Sequence, residues 1–250
     1  MGELTADWVD LPGDGAIRGY RVEPGGPGAH PGVVVGHQLF GVDGAVRGFA
    51  RRLGGLGYTV VVPDLYHRTA PGIELPADDG GRTRGFELLH RLRRDEVVRD
   101  IDAAVRHLRE SGAGPAVGMV GLSVGGHVAY LAATALDLAA TVVFFPGWLT
   151  GTEIGLSSPE PTLALTPGMR GRLLLLVGEQ DQVVPEADRK LIAEALGSAG
   201  VDHEIVVYPD TPHAFLLEGA GTYRAEAAED AWRRMDALLA RSLGGPGAGS

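Results

Sequence analysis

The chain contains no cysteine, which excludes disulfides, thiolate metal sites and a thiol nucleophile together. It has one lysine, Lys190, and its 22 basic residues stand against 32 acidic ones, for a net charge of −10. With no basic block to neutralise phosphates, nucleic acid and anionic membranes are not expected partners. No apolar run approaches the roughly 18–20 residues of a bilayer span. There is no H-E-x-x-H pair or Cys/His set for a metal, and no G-x-G-x-x-G after a strand for a nucleotide. The opening MGELTADWVDLPGDG is acidic and broken by Pro and Gly, unlike a secretory leader, so the expected compartment is the cytoplasm.

What is present is an ordinary globular balance. Of 250 residues, 44% are hydrophobic and 22% charged, enough to bury a core in one unit. Apolar runs at 32–37, 58–64, 116–121, 140–145, 172–178 and 203–209 are nearly unbroken Val, Leu, Ile and Phe, as in strands covered on both faces. An earlier run, 16–22, alternates polar with apolar and suits an edge or antiparallel strand. Helical spacing marks 94–111, through Val97, Ile101, Ala104, Val105 and Leu108. It also marks 185–197, between Pro185 and Gly197, and a last helix through Ala228, Ala231, Trp232, Met235 and Leu239. Strand–helix alternation predicts an α/β fold: a mostly parallel sheet with helices on both faces, as one domain over 1–243. Residues 244–250, GGPGAGS, read as a disordered tail. Two connections are long. Residues 65–93 carry helical content around 83–92, and 146–171, rich in Pro, Gly, Ser and Thr, reads as a lid or binding loop.

Gly121-Leu122-Ser123-Val124-Gly125 matches G-x-S-x-G between an apolar run and the helix-forming HVAYLAATAL. That pattern describes a turn so sharp that the central serine protrudes while glycines make room for the crossing backbone. A hydroxyl needs a positioned base, and the base an orienting acid. In the order Ser, acid, His, Asp181 follows the run 172–178 and His213 follows 203–209, both at carboxyl ends of strands. Glu179 is an alternative acid in the same loop. Asp210 reads as a turn former and Asp137 as a helix end. His107 and His203 read as a solvated helix residue and a strand start. His127, about one helical turn after the serine, reads as packing with the option of touching the site.

With HQLFGVDG (37–44), GYTVVVPDLYHRTAPG (57–72), GLSVGG (121–126), GEQDQVVP (178–185) and YPDTPHAF (208–215), the chain resembles the dienelactone hydrolase family of α/β hydrolases from about Val33 to Leu243. The resemblance implies an α/β-hydrolase fold, Ser123 as nucleophile, Asp181 as acid, His213 as base, and an oxyanion hole from the N–H groups of Leu39 and Val124. It implies no cofactor. Well-known members carry Cys where this chain has Ser123, and Glu where it has Gln38; a carboxylate helps ionise a thiol, whereas a serine is deprotonated by His213 during attack, leaving Gln38 a neutral support. The family's cationic clamp after the histidine is replaced here by Leu216 and Leu217. Arg68, Arg82 and Arg84 are the remaining candidate cations, and Phe145 and Trp148 candidate pocket walls or ordinary core aromatics. The expected function is hydrolysis of a small-molecule carboxylic ester, lactone or thioester through an acyl-enzyme on Ser123, by a monomer or homodimer. An acyltransferase or cyclase in a biosynthetic pathway, with 146–171 as a water-excluding loop, is the alternative, and a non-catalytic binding module a third.

Overall fold

The computed structural model describes residues 3–13, 17–26 and 28–244. All of the tail expected at 244–250 except Gly244, and the first residue of the run 16–22, therefore lie outside the described residues. In chain order the elements are β1 (Leu4–Asp10), β2 (Arg18–Pro24), β3 (Gly32–Gly36), α1 (Gly44–Gly55), β4 (Thr59–Pro63), α2 (Asp79–Leu89) and α3 (Arg94–Glu110). Then come β5 (Val117–Leu122), α4 (Val124–Ala135), β6 (Ala140–Phe144), β7 (Arg172–Gly178), α5 (Glu186–Ser198), β8 (His203–Tyr208) and α6 (Ala225–Leu243).

The eight strands form one sheet in the order β1-β2-β4-β3-β5-β6-β7-β8. Pairs β1–β2 and β2–β4 are antiparallel, and every pair from β4 to β8 is parallel. This is an α/β-hydrolase architecture. Strands β3, β4, β5 and β6 are buried along their whole length, as their unbroken apolar runs require. Helices cover both faces. A Cβ on Gly118 of β5 would press on Leu239 of α6, whereas one on Gly121 of the same strand would strike Gly125 of α4; an odd separation puts the two on opposite faces. On the α6 side, Phe49 of α1 stacks on Trp232 at 4.6 Å.

Three local readings change. The run 16–22 is antiparallel but not an edge, because β1 lies outside it, with Trp8 opposite Tyr20 and the rings edge to face at 5.9 Å. The helix expected around 83–92 starts earlier, at Asp79, where the Asp78 carboxylate accepts from the Gly81 N–H at 2.8 Å. The segment 146–171, read as a lid or binding loop, is packed down along much of its length. It contains two 3₁₀ turns, Gly155–Ser157 and Thr162–Gly168, and buries Leu149, Ile154, Leu156, Thr162 and Thr166. The hydroxyls of Ser157, Thr162 and Thr166 are bonded inward, with Thr166 to Tyr130 of α4 at 2.6 Å.

Candidate active site

The site grows from the end of β5. Ser123 leaves the strand at φ 56°, ψ −110°, and α4 begins at the next residue. Holding a non-glycine residue there costs about 1–3 kcal/mol and persists only where the surroundings over-determine it. They do: the Ser123 N–H donates to the Phe144 carbonyl at 3.1 Å, and its own carbonyl accepts from the His127 N–H at 3.0 Å. The flanking glycines are dictated by space, since a Cβ on Gly121 would collide with the Gly125 carbonyl and one on Gly125 with the Gly36 carbonyl.

His213 Nε2 lies 3.0 Å from Ser123 Oγ, and its Nδ1 lies 2.8 Å from Asp181 Oδ2. Asp181 is buried, and its second oxygen accepts from the N–H groups of Val183 at 2.8 Å and Val184 at 3.1 Å. With Nδ1–H donated to that fixed carboxylate, Nε2 is left to accept the serine hydroxyl proton. Phe145, fully buried at φ 40°, backs the imidazole edge to face at 4.9 Å. It thus supports His213 and does not line the cavity, which corrects its reading as a pocket wall.

Ser123 and His213 open into a cavity of about 700 Å³ whose wall includes Gln38, Leu39, Val124, Trp148, Arg82 and Phe86. Val124 is the first residue of α4, so its N–H has no partner within the helix. The Leu39 amide is aimed indirectly. His37 is fully buried; its Nδ1–H donates to the Gln38 carbonyl at 2.7 Å while its Nε2 accepts from the Leu65 N–H at 3.2 Å. Burial pushes its pKa down, in keeping with a neutral ring that donates on one side and accepts on the other. Tyr66 OH donates to the Leu39 carbonyl at 3.0 Å. Gln38 donates to Asp43 at 3.3 Å, and Asp43 also caps α1.

The arginines separate. Arg82 is on the cavity wall. Arg68 is not: its guanidinium grips buried Asp100 through both nitrogens, at 2.5 and 2.8 Å, alongside His67 at 3.2 Å. Burial alone would raise the Asp100 pKa, yet those two partners hold it below its ordinary value. Arg84 pairs with Glu87 along α2 at 2.6 Å. Neither Arg68 nor Arg84 reaches the cavity, so both lose their reading as substrate contacts. The rival acids are also placed: Glu179, after β7, accepts from the Asp210 N–H at 3.3 Å, and Asp210, after β8, accepts from Gln180 at 3.2 Å, so both tie these two neighbouring loops together.

Sequence reasoning missed His37, Tyr66, Asp43 and Phe86. It also missed a second wall, Leu217 to Thr222; the Gly-rich LEGAGT was its only signal. From 146–171 only Trp148 lines the cavity. Among the described residues, no group of three or more His, Asp or Glu is placed to hold a metal ion, and no helix is long and apolar enough to cross a membrane.

A family model for the dienelactone hydrolase family matches residues 17–243. The chain belongs to that family. It is 31% identical over 228 residues to carboxymethylenebutenolidase from Pseudomonas putida, covering 90% of this chain and 92% of that one. It is 32% identical over 233 residues to a Synechocystis protein provisionally given the same name, covering 91% and 92%. A Klebsiella pneumoniae crystal structure, provisionally described as a dienelactone hydrolase, superposes with TM-score 0.87 at 27% identity, over 96% of this chain and all of that one. Within this family frame the chain sets Ser123 at the elbow and Gln38 beside Asp43.

Proposed function

We propose that this dienelactone hydrolase family member is a serine hydrolase of carboxylic esters or lactones, acting through an acyl-enzyme on Ser123. The observation that carries the reading is the continuous relay from Ser123 Oγ to His213 to Asp181, at 3.0 and 2.8 Å, opening into the cavity. As Ser123 Oγ attacks the substrate carbonyl carbon, its proton passes to His213 Nε2. The Leu39 and Val124 N–H groups receive the oxyanion. When the tetrahedral adduct collapses, His213 returns the proton to the leaving oxygen. Water then attacks the ester carbon, giving a proton to the same nitrogen, which restores it to Ser123 as the acid departs. Asp181 holds the tautomer and steadies the imidazolium. Atoms and charge balance without a cofactor.

Carboxymethylenebutenolidase, the name of the Pseudomonas putida relative, denotes a lactone-opening activity, and a lactone is within the reach of this site. Arg82 is the arginine on the wall, and Leu216 and Leu217 follow the catalytic loop, so an uncharged, more apolar ester or lactone suits the cavity better than a small anionic one. A panel of neutral esters and lactones tests the reading. Turnover that falls roughly 10⁴-fold or more in Ser123→Ala is expected; activity surviving in that variant overturns the mechanism.

A further inference from the structure

Trp148 is half-buried on the cavity wall, edge to face with Phe86 of α2 at 6.1 Å and 85°. Phe86 itself is 37% exposed. Trp148 stands at φ 59°, a conformation that a residue with a Cβ avoids unless its neighbours impose it. Buried side chains impose it from both sides. The hydroxyl of Ser157, itself fully buried, donates to the Trp148 carbonyl at 2.6 Å. One residue earlier, the Gly147 carbonyl lies 2.8 Å from Nδ1 of fully buried His127, whose Nε2 meets the Thr162 hydroxyl at 2.8 Å. Val183 closes on Gly147 so tightly that a Cβ there would sit 2.7 Å from its methyl. Neither Ser157 nor His127 lines the cavity or takes part in the proton relay.

We infer that Trp148 and Phe86 form an aryl-recognition wall that selects esters or lactones bearing an aromatic group, and that Ser157 and His127 are the positioning residues that hold it. The inference rests on the serine-hydrolase reading for its substrate bond, but not for the binding of the ring. Two rings at right angles offer an incoming aryl group a face and an edge, the arrangement that aromatic contacts favour. An all-aliphatic substrate gains neither.

The test compares phenyl acetate and methyl benzoate with ethyl acetate, as ratios of kcat/KM. Wild type should prefer at least one aryl ester, and Trp148→Gly, which accepts the left-handed backbone without strain, should cut that preference at least about tenfold. Ser157→Ala should lower the ratio in the same direction in wild type but leave it unmoved in the Trp148→Gly background, a coupling that a merely structural serine would not give. Independently of turnover, acetophenone titrated calorimetrically into Ser123→Ala should bind, and at least about tenfold more weakly once Trp148→Gly is added. No aryl preference, a preference that survives Trp148→Gly, or equal acetophenone affinity in the two proteins would overturn the wall. Equal effects of Ser157→Ala in both backgrounds would overturn its positioning role. Trp148-dependent acetophenone binding without hydrolysis of any ester would uphold the wall and remove the hydrolase reading instead.

Discussion

Because a trans peptide sets its N–H opposite its C=O, the bond from His37 to the Gln38 carbonyl turns the Leu39 N–H away from His37. One buried ring thereby aims the proposed oxyanion donor from outside the cavity wall. His37→Leu should lower kcat about 10–100-fold while KM changes little, since a lost oxyanion donor is felt mainly in the transition state; steady-state kinetics on the preferred ester reads both. Gln38 tells a related story. Its amide faces the Asp43 carboxylate at 3.3 Å, so Gln38→Glu sets two carboxylates side by side and should reduce turnover severalfold. A large gain in turnover would mean that the carboxylate typical of cysteine-bearing relatives is useful here too. Asp181 is fully engaged, one oxygen on two backbone amides and the other on His213. Asp181→Asn satisfies only one of these sides with its oxygen, so a folded protein with sharply reduced activity is expected by circular dichroism and assay.

At the scale of elements, the site depends on how closely α4 approaches β3. A methyl on Gly125 would meet the Gly36 backbone and stand 2.7 Å from the His37 carbonyl. Gly125→Ala should therefore cost at least about 1–3 kcal/mol by urea unfolding, and displace the elbow and the oxyanion loop together. The elements that carry Ser123, Asp181 and His213 were legible because each bears a local signature at a strand's carboxyl end: GLSVG closing β5, GEQD closing β7, PDTPH after β8. The illegible parts are those decided at a distance. Arg68 reads as a free cation until the fold brings Asp100 to it from 32 residues away. Segment 146–171 has the composition of a surface loop, yet the hydroxyls of Ser157, Thr162 and Thr166 bond partners on α4 and within the segment. Helix α1 hides behind four glycines in GAVRGFARRLGG, and β1 behind a polar alternation too short to stand out from the turn that follows. Composition cannot separate such cases, because pairing and burial decide them and neither is a local property.

Across the whole molecule, protonation links the site to stability. Burial lowers the His127 pKa from 6.5 to about 4 and moves His37 the same way. Between those values the unfolded chain takes up a proton that the folded chain refuses, so stability is full above pH 6.5 and declines toward pH 4, by on the order of 3 kcal/mol for His127 alone. Unfolding free energies measured at pH 7, 5.5 and 4.5 should show that decline, and His127→Gln should flatten it. The distribution of charge bears on the end of the cycle. Asp43 and Glu218 border the same cavity as the single guanidinium of Arg82, within a chain of net charge −10. Under the proposed chemistry every turnover creates an anion in that enclosure from a neutral precursor. The surroundings that admitted the precursor then repel what it has become, so the acid should be a feeble inhibitor and departure should not throttle the enzyme.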